Sequence, residues 1–241
     1  QEIETQSEFV ENNIPESLKS AYKARNSNSQ SERKEAIRTL AQSNNPVASK
    51  ILIDSLKHDN LDVRTEAAKA LGELRRVEAV PELIESLCDR SRGIRGEAET
   101  ALIRIGRAAI PQLAEALDNK DDAARKEIVI TLNHIEHRDA LPYLIQALRD
   151  PFSEVRENAA SGLGNIGNAE VVPDLLKAAE DENQEVRSRV IQALAKIGDP
   201  RAIPTLLEAV TDKYDHVWKA ALERLEVFHE PSTAPVLAQY L

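Results

Sequence analysis

The sequence predicts an all-α repeat protein, a right-handed α-solenoid of about seven antiparallel helix pairs, because two ladders of residues recur at one period. The first ladder steps by 30 or 31 residues: Arg33, Arg64, Arg95, Arg125, Arg156, Arg187 and Trp218. The second ladder uses the same steps: Pro81, Pro111, Pro142, Pro173, Pro204 and Pro235. A unit of this size cannot bury its apolar face alone, so neighbouring units must complete the core.

Each laddered arginine opens the first helix of its repeat, here called helix A. In residues 186–197 the apolar side chains share one helical face: Val186, Val190, Ala193, Leu194 and Ile197. Three repeats then place glycine where a helix C-terminus favours a residue that tolerates positive φ: Gly106, Gly167 and Gly198. Helix A should therefore end at these glycines.

The laddered proline lies near the start of the second helix, helix B, where a missing N–H costs least. An apolar quartet with spacing i, i+3, i+4, i+7 follows in residues 80–87, 141–148 and 203–210 and is expected to be buried. Its members are Val80, Leu83, Ile84 and Leu87, then Leu141, Leu144, Ile145 and Leu148, then Ile203, Leu206, Leu207 and Val210.

The array is expected to cover residues 31–241, with repeats near 31–59, 60–90, 91–120, 121–150, 151–181, 182–212 and 213–241. Residues 1–30 lie outside the register and predict a partly mobile extension with a short capping helix from Pro15 to Lys23. Polar residues in the first repeat, Glu32 and Ser43, and the exchange of arginine for Trp218 in the last, indicate terminal capping repeats.

Composition limits the classes of partner. The formal net charge of -10 argues against nucleic acid and anionic membranes as partners. No apolar run approaches the roughly 18 residues that cross a membrane, so no membrane insertion is expected. A single cysteine, Cys88, excludes an intrachain disulfide. We expect a cytoplasmic protein, with a mature exported form or a fragment of a longer protein left open.

These motifs resemble HEAT-like repeats of the short type, about 31 residues long, found in phycobilisome lyases. Residues 154–181 carry the signature most fully: a Val-Arg pair, then A-LG-IG, then a proline helix and a closing aspartate. The resemblance implies scaffolds, assembly factors, bilin lyases or a di-iron hydroxylase of the deoxyhypusine type. The His-Glu pairs of that hydroxylase are missing from the equivalent positions: Thr65-Glu66, Gly96-Glu97, Lys126-Glu127 and Glu157-Asn158.

Three other motifs that suggest chemistry have structural interpretations. Gly162, Gly164 and Gly167 match a dinucleotide fingerprint but close helix A instead of following a strand. The metal-ligand types His134, Glu136 and His137 are spread around a helix end. Cys88, which we expect to be exposed, has no histidine close in sequence to activate it. We therefore predict no catalytic residue, no cofactor and no metal.

The laddered arginines are predicted to be structural, pairing with acids so that successive repeats are held together. The candidate acids close helix B or lie two residues before the arginine: Asp59, Asp89, Asp150, Asp181 and Asp212, with Asp62, Glu154 and Glu185.

The predicted binding surface is the polar, concave side of the B helices, at the position after the proline slot and three residues later. Its predicted partner-binding residues are mostly acidic: Asp54, Glu82, Glu85, Gln112, Glu115, Tyr143, Gln146, Asp174, Lys177 and Glu208. The same register adds Ile51, Thr205, Val236 and Gln239, and Trp218 forms a secondary exposed aromatic site. An ordinary solvated face is the alternative interpretation.

We therefore predict a non-enzymatic scaffold or assembly factor that binds a basic or polar segment of a partner protein. The first alternative is a bilin lyase, or a factor in phycobilisome assembly or turnover, acting on bilin and a phycobiliprotein. The second is an engineered binding scaffold.

Overall fold

The computed structural model describes residues 14–43, 45–119 and 121–228, and all regular secondary structure within these ranges is helical. The chain divides into two compact units, Gln1–Ala116 and Leu117–Leu241. The first contains α1 (Glu16–Ala24), α2 (Gln30–Gln42), α3 (Pro46–Asp54), α4 (Leu61–Glu73), α5 (Val80–Ser86), α6 (Arg92–Ile105) and α7 (Ile110–Glu115). The second contains α8 (Asp122–Ile135), α9 (Leu141–Ala147), α10 (Ser153–Ile166), α11 (Val172–Ala178), α12 (Gln184–Ile197), α13 (Ile203–Ala209) and α14 (Asp215–Phe228).

The alternation of helices confirms the predicted all-α repeat fold. Even-numbered helices from α2 onward are the A helices, and odd-numbered helices from α3 to α13 are the B helices. From α5 onward the B helices are only six or seven residues long, and a 3-10 turn such as Val77–Ala79 precedes each of them. The B helix expected in the last repeat, with Pro235, Val236 and Gln239, lies outside the described residues.

Polar caps set where the A helices begin. Ser29, Asn60, Asp121 and Asn183 each lie four residues before a laddered arginine, and their side chains accept backbone N–H groups of the first turn. At the other end, Gly106, Gly167 and Gly198 have φ of 69°, 70° and 74°, as the sequence predicted. The same register position carries Arg75 and Glu136, both with φ of 50°.

Small residues allow successive A helices to approach closely. A Cβ atom added to Gly72 would lie 2.6 Å from Ala101 Cα, and one added to Gly164 would lie 2.8 Å from Ala193 Cα. Gly164 therefore packs helix α10 against α12, while Gly167 ends α10. The glycine motif at 162–167 closes a helix instead of following a strand, as the sequence indicated.

The N-terminal segment is tied to the first repeat. Helix α1 matches the predicted capping helix and buries Leu18 and Ala21. Arg25 is also buried, and its guanidinium donates to Ser55 Oγ at 2.7 Å, Asp54 Oδ2 at 3.3 Å and the Ile51 carbonyl at 3.5 Å. The expected mobile segment, residues 1–13, lies outside the described residues.

Candidate protein-binding surface

The two predicted positions on each B helix differ in exposure, and together they define what we call the B-helix surface. In the first unit Glu85 and Glu115 are exposed, whereas Glu82 and Gln112 are half-buried. The second unit follows the same pattern, with Gln146, Lys177 and Glu208 exposed and Tyr143, Asp174 and Thr205 half-buried. Residues three apart lie on the same side of a helix, so each B helix presents one pair to solvent.

Two expectations about this surface were wrong. Ile51 is fully buried, because the N-terminal segment covers this end of the surface with Arg25. Ile84, Ile145 and Leu207 are half-buried although the quartet pattern placed them in the core, and Ile203 is half-buried as well. The i+4 member lies at the edge of the apolar stripe on a helix of two turns, so it adds apolar atoms to the exposed side.

The first unit carries an acidic pocket of about 350 Å³, lined by residues 56–59 after α3, by the start of α4 and by α5 with the loop that follows it. Lys57, Glu82, Glu85 and Asp89 are among its lining residues, and Lys57 Nζ lies 2.9 Å from Glu85 Oε2. The hydrogen bond that Lys57 donates to Glu85 raises the pKa of Lys57 against the effect of partial burial, and the charges of Glu82 and Asp54 add to the rise. The four carboxylates that line the pocket, Asp59, Glu82, Glu85 and Asp89, outnumber its two cations, Lys57 and Arg64, so the pocket has excess negative charge.

The second unit presents a more balanced surface than the mostly acidic groove expected from the sequence. A pocket of about 420 Å³ combines Leu117, Pro142 and Ile145 with the charged Arg149 and Asp150. The carboxylate of Asp174 has cations on both sides, since Arg149 and Lys177 each approach it to 3.9 Å. Cations thus offset the acidic groups here, and the predicted B-helix positions carry more negative charge in the first unit, with Asp54, Glu82, Glu85 and Glu115.

A repeated arginine clasp lies at the loops that lead from each B helix into the next A helix. Arg156 shows it fully: Nε and Nη2 donate to the two carboxylate oxygens of Asp181 at 2.7 and 2.8 Å, and Nη1 donates to the carbonyls of Asp150 and Pro151 at 2.9 and 3.1 Å. Three further pairs have the same spacing of 25 residues: Arg64 with Asp89, Arg125 with Asp150, and Arg187 with Asp212.

The clasp differs in detail from the pairing expected on sequence. The acid belongs to the loop after the arginine's own repeat, whereas the loop before it contributes carbonyls, as Arg64 shows by donating to the Asp59 carbonyl at 2.9 Å. In the first repeat, His58 occupies the acid position and Arg33 binds Asp62 instead. Glu154 pairs with Lys126 and Glu185 lies 3.7 Å from His216, so these two acids contact side chains other than the laddered arginines.

Each clasp aspartate also organises the next loop. Asp150, Asp181 and Asp212 accept the backbone N–H two residues further on, at 2.8, 2.8 and 3.0 Å. Burial opposes ionisation of these three carboxyls, but the arginine and backbone hydrogen bonds outweigh it and lower each pKa. In the third repeat Asn119 occupies this position and accepts from Asp121 N at 2.9 Å, so that loop keeps the turn without a carboxylate. Arg95 donates to the carbonyls of Asp89 and Arg90.

The remaining candidates lie apart from the B-helix surface. Trp218 is half-buried instead of exposed, with Lys219 Nζ 5.3 Å from the centre of its ring. His134 and Glu136 are exposed, and His137 accepts the N–H of Asp139, so they serve the end of α8. Within the described ranges no group of three or more His, Cys, Asp or Glu residues could hold a metal ion. Cys88 is exposed, as expected.

Repeated antiparallel helix pairs with capped starts and close A-helix packing define an all-α repeat protein of the helix-pair type. The chain belongs to the HEAT repeat family, whose profile matches residues 18–103, 89–151 and 141–226. No curated protein matches the sequence. None of the helices in the described ranges has the length and apolarity to span a membrane.

Two of the solved structures that are similar to the chain have TM-scores above 0.5. One is from the complex of CpcE and CpcF of phycocyanin lyase from Nostoc sp. PCC7120, with 27% identity, a TM-score of 0.57, and coverage of 61% of this chain and 98% of that chain. The other is the Escherichia coli protein YibA, with 20% identity, a TM-score of 0.53, and coverage of 99% of this chain and 91% of that chain. The second likeness concerns the fold alone.

Proposed function

We propose that the protein is a non-enzymatic scaffold or assembly factor that binds a partner protein on the B-helix surface of its first unit. The observation that carries the proposal is the acidic pocket, where Glu82 and Glu85 remain accessible beside Lys57, while the second cation of the pocket, Arg64, is paired with Asp89. The adjacent B helix adds the exposed Glu115. A basic segment of a partner would exchange its counterions for these carboxylates and place apolar groups near the half-buried Ile84.

Asp54 contributes less than the sequence suggested. Its carboxylate is shared with the buried Arg25, so a partner cation at Asp54 would compete with an existing ion pair. Glu82, Glu85 and Glu115 are therefore the residues to change. The exposed pair between Lys57 and Glu85 contributes little to stability, and its loss should leave the fold intact.

The test replaces Glu82, Glu85 and Glu115 together with lysine and compares proteins captured from the source lysate by mass spectrometry. A control with the same change of charge replaces three exposed acids away from the B-helix surface, Glu35, Glu182 and Glu223. The reversal variant should lose the captured partners while the control retains them, with unchanged circular dichroism for both. Equal capture by the two variants would show that the acidic pocket is not the interface.

A second candidate function follows from the likeness to a chain of the CpcE and CpcF complex of phycocyanin lyase. On this proposal the protein acts on bilin attachment or on phycobilisome assembly or turnover, with a phycobiliprotein as its partner. Mixing the purified protein with phycocyanobilin and the apo-form of a phycocyanin subunit should then change the visible absorption spectrum. An unchanged spectrum would eliminate this candidate while leaving the scaffold proposal standing.

A further inference from the structure

A basic and apolar patch lies in the first unit, at the loops that join helix A to helix B in the second and third repeats. It consists of four arginines and two apolar residues and is called the AB-loop patch here: Leu74, Arg75, Arg76, Val77, Arg104 and Arg107. Leu74 and Val77 are 36% and 42% exposed, which is unusual for large apolar side chains in this structure. Arg75, Arg104 and Arg107 are exposed and Arg76 is half-buried.

The two loops lie side by side because their A helices pack closely. Gly72 near the end of α4 contacts Ala101 in α6 with no room for a side chain between them. Glu73 and Arg104 approach each other to 3.9 Å across the same interface. The patch is therefore a continuous surface built from two consecutive repeats.

Arg75 has a backbone conformation that favours glycine. Its φ is 50°, and its N–H donates to the Gly72 carbonyl while that of Arg76 donates to Leu71, which closes α4 with a left-handed residue. The equivalent position is glycine in three other repeats, Gly106, Gly167 and Gly198. The Arg75 side chain makes no hydrogen bond or ion pair with another described residue. Strain of this kind, borne by an exposed residue, points to a role for the side chain.

The charge of the patch opposes that of the chain. The two exposed acids Glu73 and Glu78 contact Arg104 and Arg76 only at long range, 3.9 and 4.0 Å. A single-stranded nucleic acid would meet these two acids and would find no aromatic side chain for base stacking in the patch. The exposed Leu74 and Val77 instead favour a ligand that carries apolar side chains beside its negative charge.

We propose that the AB-loop patch docks an acidic segment of a partner protein. Carboxylates of the segment pair with the arginines, and one of its apolar side chains packs between Leu74 and Val77. Arginine suits this task because its guanidinium can bind a carboxylate through two parallel hydrogen bonds. This surface is separate from the acidic pocket of the B helices, so the protein would join a basic and an acidic segment at two places on one unit.

The test measures fluorescence anisotropy of a fluorescein-labelled peptide made of four Asp-Glu-Leu repeats as the full chain is added. Replacing Arg75 with glycine should raise Kd roughly threefold, and adding Arg104→Gln and Arg107→Gln should raise it tenfold or more, since exposed charge pairs are individually weak but act together. A peptide with lysine in place of the acids should not bind at the patch.

A matched control separates the role of the side chain from that of the backbone. Both Arg75→Gly and Glu136→Gly relieve a left-handed non-glycine residue, so both should raise Tm by roughly 2–4 °C. Only Arg75→Gly should also weaken peptide binding, while the Glu82, Glu85 and Glu115 reversal should not weaken it. The proposal is overturned if the acidic peptide does not bind, if Arg75→Gly leaves Kd unchanged, or if a labelled single-stranded oligonucleotide binds as tightly at this patch.

Discussion

The arginine clasp predicts a large and specific loss of stability when Arg156 is replaced with alanine. Its side chain is 9% exposed and forms four hydrogen bonds, two to Asp181 and two to loop carbonyls. The truncation leaves the Asp181 carboxylate, 10% exposed, with only the backbone N–H of Asn183. Removing one partner of a buried ion pair costs about 3–5 kcal/mol, and the remaining access to water favours the lower end, about 3 kcal/mol.

The measurement is urea unfolding followed by circular dichroism, with hydrogen exchange to locate the opened repeats because repeat arrays need not unfold in one step. Arg189→Ala is the matched control, since its pair with Glu157 has side chains 42% and 26% exposed and should contribute less than about 1 kcal/mol. Asp181→Asn completes a double-mutant cycle, because the amide oxygen can still accept the Asn183 N–H. A loss for Arg156→Ala no larger than that for Arg189→Ala would refute a structural role for the clasp.

Three further predictions concern other parts of the same structure. The pKa of Asp181 is lowered in the folded protein, so the ionised carboxylate stabilises the folded state above about pH 4, and this stabilisation is lost as the pH falls further. The free energy of unfolding of Asp181→Asn should therefore depend less on pH below that value. Gly164→Ala should cost about 1–3 kcal/mol in urea unfolding because its Cβ would overlap Ala193, whereas Gly96→Ala, with nothing within 4 Å, should gain about 0.5–1 kcal/mol. Arg25→Ala should speed hydrogen exchange in α1 but not in α12. Exchange in α1 at the same rate as in the unmodified protein would contradict the conclusion that the Arg25 hydrogen bonds hold α1 against the first repeat.

The sequence was sufficient to predict the fold because the two ladders report the same period. The arginine register placed the A helices to within about two residues, as α12 shows by beginning at Gln184, two residues before the segment 186–197 of the sequence analysis. The glycine register placed three of the left-handed helix ends. The same register could have predicted positive φ at Arg75 and Glu136, which occupy the glycine position in two other repeats.

The binding surface was harder to predict because exposure depends on contacts from outside the repeat. Nothing in the 31-residue register indicates that Arg25, which precedes the array, binds Asp54 and covers Ile51. The periodic pattern also failed to predict the partial exposure of Ile84, since a two-turn helix buries only the centre of its apolar stripe. The pairing of Arg156 with Asp181, 25 residues further on, depends on how consecutive loops stack.

Site-specific photo-crosslinking tests most directly whether the B-helix surface binds a partner. A photoreactive amino acid replaces Glu85 or Glu115 in separate variants, and the exposed Arg38 on an A helix serves as the control. Irradiation in the source lysate should give the same partner adduct at Glu85 and Glu115 and none at Arg38. The scaffold proposal requires the adduct at the two B-helix positions; adducts at Arg38 alone, or equally at all three positions, would contradict it.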